Sequence, residues 1–245
     1  MDGRGLIGIV SGLGPLAGSD VLDKALAYAA TAYGAVEDTD YPDIVLFSHG
    51  IENFDSTGSI EADFVRELVG VVQEIELHHP SVVGVACNTA YLHFDELRAH
   101  TSAQFVDLIA ATAAAAAEVD RQYLLLSSST TRKTGLYHEA LRHRGVRFFD
   151  VSDEDQLEID EIVHTVMAHE LDAAGAELDA VVSRLDAGAQ FDGIIAACTE
   201  LPIAFDHAEV SAVIPVIDSN RVLARALVDT YFSLSRVERQ LERAH

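Results

Sequence analysis

Lysine is almost absent from this 245-residue chain: only Lys24 and Lys133 occur, and the remaining members of its 16 Lys plus Arg are arginines. A pyridoxal enzyme holds its cofactor on a Schiff-base lysine beside a phosphate-binding site. Lys24 falls in a helical stretch and Lys133 in a polar loop, neither in such a context, so no pyridoxal cofactor is expected. Cysteine is equally scarce. Cys87 and Cys198 are too few for a disulfide framework, and their spacing matches no zinc site, so no metal is expected either. Long apolar runs are missing: none reaches the roughly 18 residues that a membrane span requires. Met1-Asp2-Gly3-Arg4 leads directly into a strand-like segment, with neither a charged-then-apolar leader nor a cleavage site. A soluble, cytoplasmic protein is the expectation.

Positive charge is also short. Acidic residues outnumber basic ones 40 to 16, for a formal net charge of −24. Such a surface repels nucleic acid and anionic membranes, so neither is an expected partner. An acidic, lysine-poor surface fits a salty cytoplasm, and a GC-rich genome equally favours arginine over lysine; both readings stay open.

Apolar residues make up 49% of the chain, ample for a packed core. The length suits one large α/β domain or two small ones. Strand-like and helix-like segments alternate. Leu6–Val10 is a strand ending in Ser11-Gly12-Leu13-Gly14-Pro15, and a helix begins near residue 18. Strands follow at 43–48, at 82–86 ending on Cys87, and at 105–109, with helices over 59–78 and 94–99 and an alanine-rich helix over 110–119. The rhythm then restarts. Strands are expected at 123–126, 146–149, 193–197 ending on Cys198, and 214–218. A polar turn at 127–131 leads into a helix through Leu141; further helices cover 159–182 and 220–239. Short apolar strands with intervening helices argue for parallel sheets in α/β layers.

The two halves repeat each other. Val83-Gly84-Val85-Ala86-Cys87-Asn88-Thr89 aligns with Gly193-Ile194-Ile195-Ala196-Ala197-Cys198-Thr199, allowing one gap, and the cysteines lie about half the chain apart. Two such halves facing each other put matching strand ends on opposite sides of one cleft. A lone cysteine is by default a small buried hydrophobe. Strand-end placement, polar flanks and half-chain symmetry together point instead to chemistry. In open parallel sheets ligands bind beyond the carboxyl ends of the strands, and backbone N–H groups at a following helix start favour a thiolate. A redox disulfide is weakened by the lack of a Cys-x-x-Cys motif.

Two facing thiols suit proton transfer at a carbon next to a carboxylate. A base on one face and an acid on the other invert the centre through a planar intermediate. Thiol pKa values lie near enough to neutrality for one thiolate and one thiol to coexist. The substrate carboxylate then needs neutral donors. Ser11 and Gly12, Asn88 and Thr89, and Ser128 to Thr131 are candidates; for the run at 127–131 the plainer reading is a solvated turn or helix cap.

These motifs together resemble the aspartate/glutamate racemase family over nearly the whole chain. Ser11-Gly12-Leu13-Gly14-Pro15-Leu16-Ala17 is similar to that family's Gly-Gly-Met-Gly-Pro-Leu-Ala loop. Cys87-Asn88-Thr89-Ala90 and Cys198-Thr199-Glu200-Leu201-Pro202 resemble its two cysteine motifs. Ser128-x-x-Thr131 with Gly135-Leu136-Tyr137 is similar to its Thr-x-x-Thr…Tyr segment. The resemblance implies an α/β fold of two Rossmann-like parallel-sheet domains, related by pseudo-twofold symmetry, with the active site in the cleft between them. Residues 1–110 with 215–245 would form the first domain and 111–214 the second. It further implies a PLP-independent, metal-free isomerase, often homodimeric. Cys87 and Cys198 would be catalytic, and Ser11, Gly12, Ser56, Asn88, Thr89, Ala90, Ser128, Thr131, Thr199 and Glu200 would bind a small carboxylate substrate, an amino acid.

The departures concern substrate. Ser56 falls where aspartate racemases of this type carry an arginine for the distal carboxylate, and Asp172 falls near the place of their lysine. Tyr91 stands where a histidine commonly follows the first cysteine motif. Losing both cations would leave a distal carboxylate unpaired. The expected substrate is therefore an amino acid with a neutral or basic side chain. Rival readings keep the cleft and change its use: a maleate isomerase, arylmalonate decarboxylase or hydantoin racemase, or a catalytically silent binding protein. A cysteine hydrolase is disfavoured, because none of the 11 histidines, His78, His79 and His93 among them, sits in a nucleophile-plus-base motif.

Overall fold

The computed structural model describes residues 5–51, 62–188 and 191–242. Its core is two four-stranded sheets, parallel throughout and with identical connectivity. In the first, β1 (Leu6–Ser11), β2 (Asp43–Ser48), β3 (Val82–Val85) and β4 (Gln104–Phe105) lie in the order β2-β1-β3-β4. In the second, β5 (Gln122–Leu126), β6 (Arg147–Asp150), β7 (Gly193–Ala196) and β8 (Val216–Asp218) lie in the order β6-β5-β7-β8.

The repeat is tighter than the sequence suggests. Val10 of β1 pairs with Val85 of β3, and Leu126 of β5 pairs with Ala196 of β7. Each cysteine is the second residue past its strand, so the two motifs superpose without the expected gap. By the same register Ser11 and Ser127 are counterparts.

Helices flank both sheets. α1 (Pro15–Tyr33) starts with Pro15, whose fixed φ and missing N–H suit a first turn, and buries Ala17, Val21, Ala25 and Ala29 along one face. α2 (Ala62–Glu76), α3 (Phe94–Arg98) and α4 (Leu108–Ala117) complete the first unit. The strand expected at 105–109 is cut to two residues. Asp107 accepts a hydrogen bond from the Ala110 N–H at 2.9 Å and so starts α4, a local bond that wins over extension of a short apolar run.

In the second unit α5 (Ser129–Thr134) and α6 (Leu136–His143) are separated by Gly135 at φ 68°, a left-handed conformation that ends a helix at little cost to glycine. The single helix expected over 159–182 is two, α7 (Asp153–Met167) and α8 (Leu171–Asp186). Ser152 caps α7 and three acids fill its first turn, while His169 at φ 65° breaks the chain direction before α8. α9 (Leu201–Asp206) follows the second cysteine motif, and α10 (Ser219–Glu242) closes the chain.

The expected return to the first unit at residue 215 comes too early. β8 pairs with β7 and completes the second sheet; only α10 goes back, to pack on α1, α4, β1 and β3. Strand alternation joins the two units. Tyr123, Leu125 and Ile195 face the core shared with the first sheet, whereas Leu124, Leu126, Ile194 and Ala196 face a second core under α7–α9. A partly buried ionic knot reinforces the join: Lys24 Nζ of α1 lies 2.7 Å from Asp20, 2.9 Å from Asp218 and 3.3 Å from Asp206. Among the described residues no helix is long and apolar enough to cross a membrane.

Candidate active site

The two loops that follow β3 and β7 meet at one small cavity. Cys87, Asn88 and Thr89 line it from the first unit, with Leu13 and Gly14 of the β1–α1 loop. Ser128, Cys198, Thr199 and Glu200 line it from the second, with Val163 and Met167 of α7. Its free volume is about 30 Å³, room for ordered water and little more. An amino acid is larger, so the walls must part to admit one.

Asn88 is held from both sides. Its Oδ1 accepts from the buried Tyr137 hydroxyl of α6, and its Nδ2 donates to Ser219 Oγ at 3.4 Å. A chain of hydroxyls crosses the interface: Ser128 Oγ donates to Thr131 Oγ1 at 3.2 Å, and Thr131 Oγ1 shares a hydrogen bond with Thr89 Oγ1 at 3.1 Å. Ser128 also caps α5, accepting from the Thr131 N–H at 3.3 Å. The run at 127–131 is thus a helix cap, as the plainer reading had it, but Ser127, Ser128, Thr130 and Thr131 are buried and not solvated.

Not every expected residue lines the cavity. Thr131 stands behind Ser128 and Thr89. Ala90 acts through its backbone N–H, which with that of Thr89 points at the Cys87 sulfur. Ser11 Oγ is buried without a partner beneath α1, near Gly18, and Gly12 packs on the His49 backbone. Ser56 lies outside the described residues. Asp172 is corrected outright: its side chain is fully exposed on the first turn of α8, 3.0 Å from His207 Nδ1. The break at His169 carries α8 away from the cavity, so this wall is Val163 and Met167. Tyr91 is buried and accepts from the Val85 N–H at 3.1 Å, a structural role. His78 and His79 are exposed at a helix end.

Sequence reasoning missed Leu13, Gly14, Val163 and Met167. Leu13 and Gly14 lie in the Ser11–Ala17 loop that resembles the family's, so a signal existed for them; Val163 and Met167 look like any apolar helix positions. None of the described lining side chains is cationic. Neutral N–H, amide and hydroxyl donors are what it offers a carboxylate. Among the described residues no group of three or more His, Cys, Asp or Glu side chains converges as a metal site needs.

The expected ease of thiolate formation does not hold in this closed cleft. Burial pushes Cys87 up to about 12, helped by the Glu200 carboxylate, against the Ala90 and Thr89 N–H groups that favour the anion. Cys198 is raised first by burial and then by Glu200, to whose Oε2 its Sγ donates at 3.1 Å, with a further contribution from Cys87. Burial also raises Glu200, opposed by the hydrogen bonds from Cys198 and Thr199.

Residues 10–227 match the Asp/Glu/Hydantoin racemase family. The chain belongs to that family. Among curated proteins it is 24% identical over 229 residues to the broad specificity amino-acid racemase RacX of Bacillus subtilis, covering 93% of this chain and 99% of that one. Among solved structures it resembles the Picrophilus torridus aspartate racemase, with a TM-score of 0.79 and 26% identity over 93% of this chain and 94% of that one. An aspartate racemase homologue from Pyrococcus horikoshii shares the fold, at a TM-score of 0.72 and 22% identity over 92% and 98%. The two parallel sheets and the cleft between them are this racemase family's architecture, and the enzyme class is isomerase.

Proposed function

We propose that this protein is a cofactor-independent amino-acid racemase in which Cys87 and Cys198 serve opposite faces of the substrate Cα. The observation that carries the reading is the convergence of both thiols on one cavity, each two residues past the equivalent strand of a repeated sheet. One cysteine, as thiolate, takes the Cα proton. The planar carbanion receives a proton from the other thiol on the opposite face, and the two cysteines end with their protonation states exchanged. Asn88 and Thr89 are the neutral donors for the α-carboxylate, whose charge grows as the proton leaves, with the Thr89 hydroxyl freed to donate by the chain that runs to it from Ser128 through Thr131.

The substrate side chain is neutral or basic in this reading. No described lining residue is cationic, and residues 52–61, which include Ser56, contain no lysine, arginine or histidine. A distal carboxylate would enter a site holding a buried acid and no counter-ion. The test is solvent-deuterium exchange at Cα across a panel of amino acids, with exchange expected for neutral or basic ones and little for aspartate or glutamate. Cys87→Ala and Cys198→Ala should each lower inversion by about 10²–10⁴-fold, the usual worth of a general acid or base. Absence of exchange with every amino acid, or full activity in either variant, would overturn the two-thiol mechanism.

A further inference from the structure

Glu200 is an odd residue to find in a pocket meant for a carboxylate. It is 5% exposed, and its two oxygens have different fates. Oε2 accepts from Cys198 Sγ and from Thr199 Oγ1, each at 3.1 Å. Oε1 is enclosed yet has no hydrogen-bond partner, and it lies on the cavity wall against Gly14. A Cβ at Gly14 would come within 1.7 Å of Oε1, and Gly14 sits at φ 92°, so both space and backbone conformation at position 14 require glycine. The chain therefore leaves room for a carboxylate oxygen to which it gives nothing to bind.

The charged and titratable neighbours define what is lacking. The groups acting on the Glu200 carboxylate are Cys198, its own backbone N–H and Thr199, and Cys87 lies close enough to feel its charge. From α7 come Val163 and Met167, and from the β1–α1 loop Leu13, none of them charged. Lys24 stands beyond the far end of α9, held by Asp20, Asp206 and Asp218. A buried, half-satisfied acid beside two proton-transfer groups wants a cation that also donates a hydrogen bond.

We propose that Glu200 is the counter-ion for the substrate's α-ammonium group, with Oε1 as the acceptor. The assignment rests on the racemase reading and deepens it: the site selects free α-amino acids over acids or cyclic imides that lack the ammonium. It also gives the substrate a part in activating the enzyme. After burial, Glu200 is the largest cause that keeps both thiols protonated. An ammonium group paired with Glu200 cancels that charge, and parting of the walls to admit the ligand relieves burial, the larger cause, so a thiol loses its proton more readily when an amino acid enters; its S–H bond breaks and the proton leaves to water before the walls close.

The ligand 2-aminoisobutyrate, which has no Cα hydrogen and cannot be racemised, separates binding from turnover. Its addition to the wild-type protein near neutral pH should produce the ultraviolet absorbance of a thiolate, whereas isobutyrate, lacking the ammonium, should not. In Glu200→Gln the thiols of the free protein should titrate at lower pH, the response to 2-aminoisobutyrate should vanish, and kcat/KM for an amino acid should fall on the order of a hundredfold. An equal thiolate response to 2-aminoisobutyrate and isobutyrate, or a Glu200→Gln protein with wild-type titration and turnover, overturns the assignment. Failure of the wild type to exchange any Cα hydrogen defeats the racemase reading instead, and leaves the thiolate comparison to decide the role of Glu200.

Discussion

Cys87 illustrates how two opposing local effects settle one protonation state. Two backbone N–H groups favour its anion, but complete burial and the neighbouring Glu200 outweigh them, and the thiol is held up to about 12. Linkage turns this into a stability prediction. The native state keeps a proton that the unfolded chain gives up near the ordinary thiol value of 9.0, so between that value and 12 the native state binds more protons. The stabilisation is fully present below pH 9.0 and is lost as pH rises through this window, by on the order of 4 kcal/mol. Urea midpoints measured from pH 8 upward should decline in the wild type and decline less steeply in Cys87→Ala. Parallel slopes would mean that burial of Cys87 does not control its titration. Cys198 follows the same logic, and its bond to Glu200 ties the two groups into one titrating unit.

At the scale of the element, two serines do the same local work in different places. Ser128 caps α5 and Ser152 caps α7, each accepting a backbone N–H three residues on. Replacing either with alanine should cost about 1 kcal/mol of stability, the usual worth of an N-cap. Only Ser128 also lines the cavity and feeds the hydroxyl chain through Thr131 to Thr89. Ser128→Ala should therefore raise KM as well, while Ser152→Ala should leave kcat and KM unchanged; urea unfolding and steady-state kinetics on both proteins check the contrast. The cap at Ser152 was legible, since Ser-Asp-Glu-Asp is a helix-start signal that the apolar periodicity from residue 159 conceals. The break at His169 was not. A left-handed non-glycine residue has no sequence signature, and missing it moved Asp172 from an exposed helix start into an imagined substrate pocket.

For the whole molecule the excess of negative charge is the dominant surface fact. With a formal net charge of −24, repulsion is spread over the surface and is screened at distances beyond about 3 Å in 1 M salt. The competing loss, screening of surface pairs such as Arg184 with Asp155 and Glu158, is small because exposed ion pairs contribute little. The thermal midpoint should rise between low salt and molar sodium chloride. A flat or falling midpoint would show that the acidic surface is no burden to the folded state.

The sequence alone determined the α/β alternation, the repeat, the pair of cysteines past strand ends and the polar residues beside them, because short apolar strands, caps and repeated motifs are local patterns. Tertiary structure decided the rest. It brought Val163 and Met167 to the cavity wall, took Asp172 away, and kept β8 with the second sheet. It also set Glu200 against Gly14 with one oxygen unpaired, and raised both thiols by burial. These are consequences of which distant segments exclude water from one another, and no local pattern encodes that.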